Sequence, residues 1–401
     1  MSSFFYYFIG PGLLIAQVIN LSSTDVFRYY AKKYGISTTN YSFGLYGLEL
    51  RKLRLKDAES VFNSISANGE SVYKYKRSDE NINLFLIGSI RKFKIISERI
   101  PKKSSGILSV ELFNTINFFE NYELTNYKLG DKLFEFNKAY IMGILNITPD
   151  SFSNGGKYFD RDKAVNYAFK MIDEGADVID IGGESSRPGA EGVDTKIEIE
   201  RVIPVVKKIL EEIPNAIISV DTKKQEVAER ALDCGVKIIN DISGGTYNPE
   251  IMKTVANYNA AYVIMHMKGT PEDMQTNPSY ENVTEEVYDF LYNQVRKAKF
   301  AGINHIFVDP GIGFGKRTED NFILINRLDD FKSLSYPIMI GVSRKSFIRN
   351  SLNLPVEATD VPTSMMESLS LSKGARIIRT HNVQYGLALK ELFNITNNSA
   401  V

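Results

Sequence analysis

Residues Ile141–Gly156 read I-M-G-I-L-N-I-T-P-D-S-F-S-N-G-G. The stretch opens with an apolar run and ends in a glycine-rich loop, with Asn146, Thr148, Asp150 and Ser151 in between. A short, fully apolar run suits a strand buried on both faces, as in a parallel sheet. Polar groups and a loop at its C-terminal end sit where such strands deliver side chains to a site. The stretch therefore predicts a buried strand that carries chemistry at its tip.

The same plan repeats downstream. Strand-like runs at 140–146, 177–182, 216–221, 237–241, 261–265, 305–309, 337–341 and 376–380 alternate with amphipathic helical patterns at 161–174, 197–213, 223–234, 249–257, 283–301, 318–330, 363–373 and 383–394. Gly175, Gly235 and Gly302 follow three of these helices, where a left-handed C-cap belongs. Eight strand–helix units over about 260 residues predict a closed (β/α)8 TIM barrel. A doubly wound sheet is the alternative, but no reversal of the pattern marks a switch point.

In such a barrel the chemistry sits at the C-terminal strand ends. Those ends are polar throughout: Asn146, Asp180, Asp221, Asn240 with Asp241, His266, Asp309, Ser343 with Lys345, and Arg379 with His381. Each alone reads as a turn or cap residue; together they predict a site. The loops T-P-D-S-F-S-N-G-G and G-G-E-S-S-R-P-G-A-E-G are rich in Gly and Ser, a composition that suits anion binding by backbone N–H groups or lid closure. D-P-G-I-G-F-G-K lacks the spacing of a Walker loop or a dinucleotide fingerprint. Its alternating glycines suit close backbone approach to a planar ligand, with Phe314 lining it. Lys345, Arg379, His381 and Arg187 predict an anionic substrate group such as phosphate. The buried carboxylates opposite predict a ligand rich in N–H donors.

Composition narrows the field. The chain has 401 residues, with 48 Lys plus Arg against 48 Asp plus Glu. That balance gives no support to general nucleic-acid binding. The one cysteine, Cys234, excludes an intramolecular disulfide and a Cys-cluster metal site. The three histidines, His266, His305 and His381, argue against a His-rich one. The apolar N-terminal run lacks a basic leader, is broken by Gly10-Pro11-Gly12, and reads as a buried strand and turn. A soluble, cytoplasmic protein with no membrane partner is expected.

Residues 1–135 form a separate block and predict a small α/β domain of unknown role, followed by the barrel at 136–401. Within the block a helix is expected from Ser23 or Thr24 to Lys33, stopped by Gly35. Strands are expected at 45–55, 72–75 and 82–87, and helices at 57–67, 89–100 and 107–119. The polar stretch 121–138 reads as a linker or as an edge segment packing under the barrel. The basic run Lys92, Lys94, Arg99, Lys102 and Lys103 reads as a solvated face.

From about residue 140 to 392 the chain resembles dihydropteroate synthase. The matching pieces are M-G-I-L-N-I-T-P-D-S-F-S, D-I-G-G-E-S-S-R-P-G-A, S-V-D-T, I-N-D-I-S-G-G, M-H-M-K-G-T-P, D-P-G-I-G-F-G-K, G-V-S-R-K-S and I-I-R-T-H. The N-terminal block looks like the extra domain ahead of the barrel in some longer members. The resemblance implies condensation of 6-hydroxymethyl-7,8-dihydropterin diphosphate with 4-aminobenzoate, giving 7,8-dihydropteroate and diphosphate, with Mg2+ on the leaving group.

It also implies roles. Asp221, Asn240, Met265, Asp309, Phe314 and Lys345 would bind the pterin. Asn146 would hold the metal that carries the diphosphate, and Arg379 and His381 the diphosphate itself. Phe152, Ser186, Arg187, Pro188 and Ser343 would shape the aminobenzoate pocket. Asp221, Lys345 and Arg379 would serve catalysis, which the family picture makes dissociative. His266 would be structural or contact the ligand. Two positions depart from the family pattern: Ser186 replaces a common Thr, and Asn154 a common Asp in the first loop. The small-molecule substrates and a homodimer complete the expectation. A pterin-dependent methyltransferase and a catalytically silent pterin-binding protein are the alternatives.

Overall fold

The computed structural model describes residues 14–37, 45–66, 72–76, 81–99, 102–122, 125–148, 161–187 and 189–398. The chain forms two compact units: Met1–Tyr122 together with Asp329–Ser335, and Glu123–Leu328 with Tyr336–Val401. The sequence places the boundary after residue 135. Segment 123–135 belongs instead to the second unit, for the packing reason given below.

The first unit runs β1 (Ile15–Asn20), α1 (Thr24–Tyr34), β2 (Tyr46–Arg54), α2 (Leu55–Ser66), β3 (Val72–Lys76), β4 (Asn81–Gly88), α3 (Ile90–Arg99) and α4 (Lys102–Glu120). Its antiparallel sheet has the order β1-β2-β4-β3. Gly35 ends α1 in the left-handed region, as expected, and α4 starts five residues earlier than the pattern suggests. Strand alternation sorts the sheet into two faces. Val18, Leu48, Leu50 and Leu84 pack with residues of α2, α3 and α4. Ile19 and Phe85 pack with Phe27, Tyr30 and Tyr34 of α1. Buried Glu49 accepts from Lys33 Nζ and Tyr34 OH, each at 2.7 Å, and from the Arg51 guanidinium. The run 1–13 lies outside the described residues.

The second unit opens with a hairpin, β5 (Asn126–Leu129) and β6 (Lys132–Glu135). Eight parallel strands follow and close a barrel: β7 (Tyr140–Asn146), β8 (Val178–Gly182), β9 (Ile218–Asp221), β10 (Ile238–Asp241), β11 (Ala261–Met265), β12 (His305–Asp309), β13 (Ile338–Ile340) and β14 (Ala375–Thr380). The intervening helices are α5 (Arg161–Asp173), α6 (Thr195–Glu212), α7 (Gln225–Asp233), α8 (Glu250–Asn257), α9 (Val283–Phe300), α10 (Thr318–Asn326), α11 (Ser346–Leu352), α12 (Asp360–Ser372) and α13 (Val383–Asn398). This is the expected (β/α)8 barrel.

Two elements differ. The helix expected over 318–330 stops at Asn326 and gives way to a 3-10 turn, Leu328–Leu334. There Asp330 and Asp329 accept from Asn20 N and Nδ2 at 2.9 and 2.7 Å, so the segment is bonded into the first unit. The short helix α11 falls where the sequence gives no helical period.

The hairpin closes the bottom of the barrel. Tyr127, Leu129, Phe134 and Phe136 pack against Met142, Val178, Ile238, Phe307, Met339 and Ile377, the inward layer at the N-terminal strand ends. Tyr127 OH donates to Ile306 O at 2.8 Å, and Lys132 pairs with Asp177 at 2.8 Å. Burying each aromatic ring contributes roughly 2–3 kcal/mol. Among the described residues this end of the barrel is thus filled by side chains.

Candidate active site

Register fixes who meets whom at the mouth. Asn146, Gly182, Asp221 and Asn240 stand side by side on β7 to β10, and Met265 pairs with Asp309 on β11 and β12. Because side chains alternate along a strand, residues two steps above the bottom layer point inward as well. Asp180, Asn240, Met265, Asp309 and Arg379 all have that parity.

Arg379 Nε donates to Asp180 Oδ2 at 2.6 Å, and its Nη2 to Asp221 Oδ2 at 2.9 Å. Asn240 Nδ2 donates to the same Asp180 oxygen at 3.0 Å. This leaves Asn240 Oδ1 buried without a partner among the described residues, an acceptor in the mouth. Burial pushes the Asp221 carboxyl up to about 7; Arg379 opposes the shift and Asp180 adds to it.

Asp309 accepts from Gly311 N–H through Oδ1 at 2.7 Å, and burial raises its pKa against the pull of Lys345. Lys345 Nζ donates to Ile312 O and sits 4.5 Å from the Phe314 ring centroid. Burial depresses the Lys345 ammonium to about 8. A Cβ on Gly311 would overlap His266 O, and its φ of +67° suits glycine, so the loop after β12 can lie flat against the β11 end. Asp309, Met265, Phe314 and Lys345 therefore form one wall, while Asp221 and Asn240 form the other.

His381 accepts or donates to Ser343 Oγ through Nδ1 at 2.9 Å. Burial, with Arg379, Arg344 and Arg187 nearby, pushes its pKa down to about 3. It is thus a neutral imidazole, not the cation that its place in R-T-H suggests. Arg187 is exposed and Ser186 half-buried on the loop after β8. Asn146 makes no side-chain hydrogen bond among the described residues. Phe152, Asn154 and Pro188 lie outside the described residues.

Two polar strand ends do not belong to the mouth. Asp241 accepts from Ser243 N and Oγ, Gly245 N and Tyr262 OH, at 2.5–2.9 Å, and holds the loop after β10. His266 takes Lys316 Nζ at 2.9 Å and meets the Phe290 ring edge-on. Both are one step out of phase with the inward residues, so they face the helices.

Sequence reasoning missed the supports. Lys316, buried, joins His266 to Phe314 O at 3.0 Å. Arg344, at φ +58°, is held by Asp360 through a bidentate pair at 2.8 and 3.0 Å, and Asn382 bonds the same carboxylate at 3.0 Å. No sequence pattern points to Asp360 or Asn382; Lys316 ends a motif and carried that signal.

The arrangement defines a class: a (β/α)8 barrel whose mouth brings buried carboxylates together with cations. The chain belongs to the pterin-binding enzyme family, whose model matches residues 142–381. It is 42% identical over 260 residues to the dihydropteroate synthase of Synechocystis sp., covering 64% of this chain and 90% of that one. Among solved structures, Yersinia pestis dihydropteroate synthase with a sulfonamide drug complex aligns with TM-score 0.65 and 33% identity, over 69% of this chain and all of that one. Xanthomonas albilineans dihydropteroate synthase with 4-aminobenzoic acid aligns with TM-score 0.64 and 34% identity, over 69% and 98%.

Proposed function

We propose that this chain is a dihydropteroate synthase, joining 6-hydroxymethyl-7,8-dihydropterin diphosphate to 4-aminobenzoate. The observation that carries the reading is the opposed pair of walls: Asp309 with Lys345 on one side, and Asp221 with Asn240 and Arg379 on the other. The relatives reported above bear that name, and one of them was solved with 4-aminobenzoic acid.

A pterin's 2-amino group and N3–H form a two-donor edge that a carboxylate accepts as a pair. Asp309 supplies it, since only one of its oxygens is committed to the backbone. Asn240 presents an oxygen, which accepts a ring N–H. The Lys345 ammonium donates to a ring acceptor. Departure of diphosphate breaks the C–O bond and takes the electron pair, leaving a cation conjugated with the pterin. Asp221 stabilises that charge in a water-poor mouth, where electrostatic stabilisation is strong. The aminobenzoate nitrogen lone pair forms the C–N bond, and the resulting N–H proton is lost to solvent. Ser186, Arg187 and Ser343, with Phe152 and Pro188, hold the amine; Arg187 answers its carboxylate.

Arg379 grips the departing diphosphate while shared with Asp180 and Asp221, and His381 donates to it as a neutral imidazole. No group of three or more His, Cys, Asp or Glu able to hold a metal exists among the described residues. That fits Mg2+, which keeps its waters and binds chiefly through substrate phosphates with one or two protein oxygens. Asn146 Oδ1 is the protein donor we assign. The ion would screen the diphosphate charge and aid its departure.

A homodimer belongs to the reading. Val361, Met365 and Leu369 form an exposed stripe at a spacing of four on α12, with Leu392 and Ile395 exposed on α13. An apolar stripe of this kind marks an interface. No described helix is long and apolar enough to cross a membrane. The diphosphate ester is a polyanion that crosses no bilayer unaided, so we take the enzyme to work where that substrate is made, in the cytoplasm.

Diphosphate release tests the reading. Release is expected only with both substrates and Mg2+ present. Methyl transfer from a methylated pterin, with no diphosphate release, would replace it by the methyltransferase. Tight pterin binding without turnover of either kind would leave a silent pterin-binding protein.

A further inference from the structure

The two ends of the loop after β8 are both bonded by the Lys224 ammonium. Lys224 is 7% exposed, and its Nζ donates to Val193 O and Glu198 Oε2 at 2.5 Å each and to Glu184 Oε2. Glu184 opens the loop, Val193 closes it, and Glu198 stands in the first turn of α6. Val193 N donates back to Glu184 Oε2 at 3.1 Å, and Lys223 Nζ pairs with Glu184 Oε1 at 2.7 Å. The neck thus balances two carboxylates with two ammoniums. Burial disfavours charge on Lys224, yet its bonds to Glu184 and Glu198 outweigh that and hold the ammonium above its usual range.

Three more contacts give the neck a direction. Lys224 lies three residues past Asp221, and Thr222 N donates to Asn240 O at 2.9 Å, so the ammonium is seated just beyond the strand ends that carry Asp221 and Asn240. At the far side of the loop, Gly189 N donates to Pro271 O at 2.9 Å. Arg187 comes near enough to His381 to help depress its pKa. The half-buried and exposed residues between these anchors include Ser186 and Arg187.

We propose that Lys224 is a positioning residue for amine binding: it holds the neck of the loop so that Ser186 and Arg187 stand over the pterin wall. The proposal rests on the synthase reading of the mouth. Its consequence is a split between the two substrates. Loosening the neck costs the amine its pocket and leaves the pterin wall in place. A residue serving the fold alone would weaken both.

The test compares Lys224→Met, Lys224→Arg and Glu184→Gln in the full chain. Lys224→Met is expected to raise KM for 4-aminobenzoate by about tenfold or more, roughly 1.4 kcal/mol, with the pterin diphosphate Kd within about threefold of the parent. Lys224→Arg is expected to recover part of the loss. Hydrogen exchange of residues 184–193 is expected to speed up in the substrate-free Lys224→Met protein. Glu184→Gln keeps the Lys224–Glu198 bond and carries the same test should Lys224→Met fail to fold. Parallel loss of both substrates, or unchanged exchange across 184–193, would overturn the proposal. Failure of the synthase reading shows separately, as a parent protein that makes no dihydropteroate; hydrogen exchange then decides the clamp by itself.

Discussion

In the proposed reaction Asp309 and Arg379 divide the work of the mouth. Asp309 is a buried carboxylate with one oxygen committed to Gly311 N–H. Arg379 is a guanidinium that spans two carboxylates. Asp309→Ala is expected to abolish pterin binding, because it leaves the donor edge of the ligand unpaired in a dry pocket, at a cost of about 1–3 kcal/mol per group. Arg379→Ala is expected to weaken the diphosphate ester far more than the bare pterin. Calorimetric titration with both ligands checks the division; equal losses of the two ligands in both variants would contradict it. The pH profile follows from two shifted groups. In the proposed mechanism Asp221 works as an anion and burial raises its pKa to about 7, while Lys345 works protonated and burial lowers its pKa to about 8. In the free enzyme kcat/KM is therefore expected to fall below about 7 and above about 8. Asp221→Asn should remove the acidic limb along with most of the rate.

At the scale of elements, strand parity separates the site from its surroundings. The polar strand ends were legible in the sequence, and so were the barrel helices to within four residues, apart from the short α11. The same list placed Asn240 beside Asp241 and included His266. Alternation assigns Asn240 and Met265 to the interior, and Asp241 and His266 to the helix side. That sorting was available from period two alone, once the bottom layer was known. What the sequence could not show is the bonding between distant loops. Asp180 joins Arg379 across 199 positions, and Lys224 reaches Glu184 across 40. Such partners are set by barrel closure, not by local pattern. The hairpin β5–β6 was readable only as a segment packing under the barrel; its aromatic spacing becomes a plug only against Phe307 and Met142.

The contact between α12 and β14 carries a stability test. Glu367 on α12 is buried, and burial pushes its carboxyl up to about 8, with Thr380 of β14 working against the shift. A folded-state pKa raised above the unfolded value gives stability that is intact at low pH and is lost as pH rises through the folded value. For Glu367 the loss runs from the ordinary carboxyl range to about 8 and reaches about 4–5 kcal/mol there, at ~1.4 kcal/mol per unit. Glu367→Gln keeps the shape without the charge. Its melting temperature is expected to match the parent near pH 5 and to exceed it increasingly toward pH 8. A gap independent of pH would contradict the assignment.

For the whole molecule, the exposed apolar stripe on α12 sits on the outside of the barrel, away from the mouth residues. Met365, at 66% exposure, stands in its middle. On the proposed homodimer, Met365→Glu is expected to halve the mass found by light scattering and to leave the circular dichroism spectrum unchanged; an unaltered mass would contradict a dimer built on this stripe. The central claim is that the eight strand ends converge on one synthase site, and a single-turnover product measurement tests it most directly. The protein is mixed with 6-hydroxymethyl-7,8-dihydropterin diphosphate, 4-aminobenzoate and Mg2+, and the quenched mixture is read by mass spectrometry. One 7,8-dihydropteroate is expected per diphosphate released; diphosphate lost without a C–N product, or no reaction at all, would contradict the account.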